Sequence, residues 1–73
     1  MATAAPVDYV AQVGDMAGVV WNVLAENGRL SMTQLTKKLG QPRDTVMQAI
    51  GWLAREDKIV IEDEGRTRVI ALR

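Results

Sequence analysis

Between Leu35 and Leu53 the apolar residues fall into two helical patterns separated by a break. Leu35 and Leu39 are spaced i, i+4 and share one face of a short helix. Val46, Ala49, Ile50 and Leu53 recur at i, i+3, i+4, i+7, the buried stripe of a second helix. A helix of about eight residues cannot hold itself in water, because its nucleus is costly, so the two must pack on each other. After Lys58 the period changes. Ile59-Val60-Ile61-Glu62 is β-branched and reads as a strand, Asp63 to Arg66 as a turn, and Thr67 to Leu72 as the returning strand. Ile59 and Ile61 are expected to face inward opposite Ile70 and Leu72, with Val60, Val69 and Ala71 outward.

Polar and special residues punctuate this pattern where helices start and stop. Ser31 is an N-cap and Gln34 lies three residues on, so Ser31-Met32-Thr33-Gln34 predicts a capping box. Gly40 stands where a helix end wants a left-handed residue. Pro42 suits the first turn of the next helix and Asp44 complements its positive end. Gly65 supplies positive φ at the tip of the hairpin. Arg29-Leu30-Ser31 has room for one or two residues of a third strand.

Upstream, a helix is predicted from about Asp15 to Asn27, with Gly14 as N-cap and Asn27-Gly28 as the stop. Ala17, Val20, Trp21 and Leu24 make its buried stripe. Met16, Val19 and Val23 make a neighbouring stripe that a small monomer does not need to bury. They are the expected homodimer interface, unless the N-terminal arm folds over them. Residues 1–12 read as a flexible N-terminal arm, with Val7, Val10 and Gly14 able to extend the helix backward, and residues 13–73 as the folded domain.

Composition narrows the chemistry. The chain has 73 residues, 48% of them hydrophobic, with no net charge, which is one small globular domain. It has neither cysteine nor histidine, so disulfides, thiolate metal sites and the usual general base are excluded. Ser31, the one serine, is used as a cap, and no enzyme, metal site or cofactor is expected. Glu56, Asp57, Glu62, Asp63 and Glu64 lack calcium-loop spacing and read as a solvated acidic surface. No apolar run is long enough for a membrane helix and no signal peptide stands at the start, so the expected location is the cytoplasm.

The zero net charge hides an asymmetry. Residues 1–28 carry Asp8, Asp15 and Glu26 without Lys or Arg, giving −3. Residues 29–73 carry nine basic against six acidic residues, giving +3.

The predicted order is helix, short strand, helix, helix, hairpin. This is α+β, mainly α, in the order of a winged helix-turn-helix: three helices and a C-terminal β-hairpin wing. Gly51 to Ile59, GWLAREDKI, together with Ala17-Gly18, Trp21, Leu24 and Gly28, resembles a family of small stand-alone prokaryotic winged helix-turn-helix proteins of unknown function. The resemblance covers roughly residues 13 to 72. It implies the winged-helix fold and self-association as a homodimer, and supplies no ligand or site residue.

Two functions fit the pattern. In the first, duplex DNA is the partner and transcriptional regulation the role. Arg43, Thr45 and Gln48 on the second helix of the motif would read base edges. Lys37, Lys38, Arg66 and Arg68 would touch phosphates. Asp44, Glu62, Asp63 and Glu64 count against it by repelling phosphate. In the second, the same scaffold is a protein-interaction or dimerisation module, using Met47, Gly51 and Trp52. Trp52 lies at the border of the buried stripe. Either it faces a partner, or it folds onto the wing strands with Gly51 making room.

Overall fold

Asp8, rather than Gly14, starts the first helix of the computed structural model, which describes residues 8–73. The Asp8 carboxylate accepts a hydrogen bond from the Ala11 amide at 3.0 Å, and the helix α1 runs Tyr9–Asn27. Gly14 therefore sits inside the helix. Residues 9–12, expected to be frayed, are helical, as the backward extension through Val10 allowed. Val7 and the rest of the arm, residues 1–7, lie outside the described residues.

Gly28, at φ 77°, ends α1 and leads into β1, Leu30–Ser31. The capping box forms as the spacing predicts: the Gln34 amide donates to Ser31 Oγ at 3.1 Å and the Ser31 amide to Gln34 Oε1 at 3.0 Å. It opens α2, Met32–Leu39. Gly40 takes the left-handed conformation and its amide donates to the Thr36 carbonyl at 3.1 Å. Pro42 caps α3, Arg43–Arg55, without a side-chain hydrogen bond of its own. At the far end the Lys58 amide donates to the Leu53 carbonyl and the Asp57 amide to that of Ala54. This Schellman arrangement puts Asp57 at φ 62°, where glycine is usual.

The hairpin is β2, Ile59–Glu64, and β3, Thr67–Leu72, joined through Gly65 and Arg66. Sheet order is β1-β3-β2, all antiparallel, so the short third strand pairs with β3 through Leu30↔Ile70 and Ser31↔Val69. The hairpin register pairs Ile59 with Leu72 and Ile61 with Ile70, as expected.

Leu24, Leu35, Ile70, Val20 and Val46 are fully buried, and Ala17, Ala49, Ile50, Leu53 and Ile59 complete the centre of the core. Two inward assignments and one outward assignment change. Trp21 is 41% exposed, on the shoulder of α1 rather than in its stripe. Ile61 is exposed although its partner Ile70 is buried, because β2 is an edge strand and only its first residue reaches the helices. Val69, expected outside, is buried, because β3 is the central strand and Ser31 and Glu62 flank it on both sides.

Trp52 is half-buried and its ring turns to α1, not back onto the wing. Its Cζ2 and Cη2 lie 3.5 and 3.6 Å from where a β-carbon on Gly14 would stand. No helix among the described residues is long and apolar enough to cross a membrane.

Candidate nucleic-acid interface

The start of α3 and the wing face each other across a groove of about 460 Å³. Arg43, the first residue of α3, lines one side, and Asp63, Arg66, Thr67 and Arg68 of the hairpin line the other, with Met32 and Thr33 of α2 at the end. Each position follows from local chemistry. Pro42 fixes where α3 begins and so where Arg43 points its stem. The tight turn at Gly65 puts Arg66 at the tip, and the antiparallel register sets Asp63 directly opposite Arg68.

Three arginines against one carboxylate leave the groove lining with a net charge of 3 − 1 = +2. The guanidinium of Arg68 is engaged, its Nε donating to Asp63 Oδ1 at 3.2 Å. Arg43 and Arg66 have no carboxylate within ion-pair distance among the described residues. Behind the wing, Arg29 Nη2 donates to Glu64 Oε2 at 2.6 Å, tying the start of β1 to the end of β2. The hydrogen bond to Glu64, then its charge, raises the Arg29 guanidinium above its ordinary pKa. Both pairs are exposed, so they add little to stability and act mainly by neutralising the acidic strand β2.

The structure thus brings Arg43, Arg66 and Arg68 into one groove. Thr45, half-buried, and Gln48, exposed, lie further along α3 and do not line it. The Thr45 amide is held by Asp44 Oδ1 at 2.9 Å. Lys37 and Lys38 are exposed on the last turn of α2, also outside the groove. Of the expected dimer stripe, Met16 and Val23 are half-buried against the domain's own core, and Val19 alone is exposed, at 46%. Sequence reading missed Thr33 and Thr67 as groove residues. It also missed the pairing of Asp63 with Arg68, for which the opposite charges flanking the predicted turn were the signal. Among the described residues the carboxylates do not gather into a metal-holding cluster.

Three helices, a three-stranded antiparallel sheet and a basic groove between the third helix and the hairpin define a winged helix-turn-helix domain. The chain belongs to the family described as Winged helix-turn-helix domain (DUF2582), whose model matches residues 9–72. It is 39% identical over 69 residues to an uncharacterised protein of Methanocaldococcus jannaschii, MJ1608, covering 90% of this chain and 97% of that one. The solution structure of BT2368 from Bacteroides thetaiotaomicron matches with a TM-score of 0.78 at 37% identity, over 85% of this chain and 76% of that one. A structure of HOP2, concerned with its DNA recognition and protein interaction domains, matches with a TM-score of 0.64 at 25% identity, over 80% of this chain and 98% of that one. An ArsR family transcriptional regulator, RHA00566, shares the fold with a TM-score of 0.64 at 18% identity, over 97% of this chain and 77% of that one.

Proposed function

We propose that this domain binds duplex DNA, with the start of α3 in the major groove and the wing on the flanking backbone. The convergence of Arg43, Arg66 and Arg68 on one groove of net positive charge carries the reading. Phosphate contacts position a protein on DNA, and base contacts specify the site. Arg66 and Arg68 on the wing and Lys37 and Lys38 on α2 take the first role. Arg43, Thr45 and Gln48 take the second, arginine suiting guanine and glutamine adenine. The role that follows is transcriptional regulation in the cytoplasm. The HOP2 likeness supports DNA as the partner class, since that structure is described by its DNA recognition.

The test is binding to a random-sequence fluorescent duplex across a salt series. Each neutralised phosphate contributes a slope of about −0.9 in log affinity against log salt. Four wing and α2 contacts therefore give a slope of roughly −3 to −4. An absence of binding at low salt would defeat the reading. It would favour a protein-interaction module instead, which the exposure of Met47 at 40% and Trp21 at 41% supports.

A further inference from the structure

We propose that the DNA-contacting surface continues around the wing into a second groove, where Arg29 takes a backbone phosphate in exchange for Glu64. The inference rests on the duplex-DNA reading above and adds a site and a residue to which that reading gives no part.

The second groove, of about 420 Å³, lies between the start of α2 and the opposite face of the wing. Strand alternation puts Asp63 and Arg68 on one face of the hairpin and Glu64 and Thr67 on the other. Arg29, Ser31 and Gln34 line the second groove on one side and Glu64 on the other. Thr33 and Thr67 line both grooves, so the two meet across these threonines. A backbone strand that passes Arg43 and Arg66 therefore reaches Arg29 along one continuous polar surface.

The groups along that path suit phosphate. Thr33 and Thr67 are exposed, and neither hydroxyl makes a hydrogen bond among the described residues. Both can donate to a phosphate oxygen. The groove also opens on the positive end of α2, whose first turn carries no acidic residue of its own.

Arg29 is the cation at the far end of the path, and Glu64 holds it in the free protein. The hold is slight. One nitrogen, Nη2, meets one oxygen, Oε2, at 2.6 Å, and the two side chains are 53% and 56% exposed. An ion pair that open to water is weak. A phosphate offers the guanidinium two parallel hydrogen bonds where Glu64 gives one. Glu64 is thus an internal competitor for the place a phosphate takes. Arg29 adds less to DNA binding than a free arginine does, and neutralising Glu64 releases the remainder.

Salt-series binding to a random-sequence fluorescent duplex tests this with wild type, Glu64→Gln, the double variant Arg29→Gln with Glu64→Gln, and Thr67→Val. With Glu64 already neutral, loss of Arg29 is expected to weaken binding and flatten the slope of log affinity against log salt by about 0.9, one phosphate. Thr67→Val is expected to weaken binding with the slope unchanged, since it removes a hydrogen bond and no charge. A double variant that binds like Glu64→Gln alone overturns the proposal, because Arg29 then serves only to neutralise Glu64. Unchanged affinity in Thr67→Val overturns the continuous path. Circular dichroism checks that each variant is folded, and if the double variant is not, Thr67→Val decides. Wild type that binds while the Arg29 and Thr67 variants show no loss defeats this inference alone. Wild type that does not bind at low salt defeats the duplex-DNA reading with it.

Discussion

Trp52 of α3 covers Gly14 of α1, its Cζ2 resting 3.5 Å from the place a β-carbon would take. At that distance a methyl group makes ordinary van der Waals contact instead of a clash. Gly14→Ala should therefore gain helix propensity and a contact with the ring together. The expected gain is about 1 kcal/mol. In a domain of this size that raises Tm by roughly 4–8 °C. Thermal melts of the dilute protein measure it, and a lower Tm would mean that the Trp52 ring must move.

The end of α3 stores a smaller reserve. Asp57 holds φ 62°, a conformation that costs an L-residue about 1 kcal/mol or more. Asp57→Gly removes that cost and also the exposed pair with Arg73, where the 2.9 Å contact adds little. The balance is a stabilisation of roughly 0.5 kcal/mol. Chemical denaturation of the variant should show a higher midpoint with an unchanged m-value.

Ser31→Ala breaks one arm of the capping box and leaves the backbone pairing of Ser31 with Val69 in place. The loss is expected at about 1 kcal/mol. It should appear as a lower urea midpoint, and Ser31→Asp should restore most of it.

The two wing arginines are not equivalent. Arg66 has no carboxylate partner among the described residues, whereas Arg68 is held by Asp63. Arg66→Ala should reduce the salt slope of DNA binding by about 1. Arg68→Ala should reduce it by less. Asp63→Asn should raise affinity and steepen the slope, because it frees Arg68 for phosphate. Equal losses for the two arginines, with Asp63→Asn neutral, would show that the ion pair does not persist beside DNA.

The helix-turn-helix was legible because its signals agree at every level. Spacing put Val46, Ala49, Ile50 and Leu53 on one face, and all four are buried. Ser31, Gln34 and Gly40 mark the ends where the hydrogen bonds form. What was not legible depends on neighbours far along the chain. Gly14 reads locally as a helix start, but Asp8 competes for that role and wins by capping the Ala11 amide. Trp21 and Trp52 sit at the margins of their stripes, where a shift of tens of degrees decides between core and surface. Val69 and Ile61 were misassigned because period-2 alternation gives the face of a strand but not whether it is central or at an edge. For the site, residue type found Arg43, Arg66 and Arg68, while only the register could show that Asp63 already occupies one of them.

The position of β3 between β1 and β2 governs when the domain can form during synthesis. Leu30 and Ile70, 70 − 30 = 40 residues apart, are neighbours across the sheet. As the nascent chain leaves the ribosome, α1, α2 and α3 emerge before the strand that supplies Ile70, the fully buried residue at their centre. Helices as short as α2 do not persist without that support. The core therefore closes only once Thr67–Leu72 is available to lie between the other two strands, at the very end of the folded sequence.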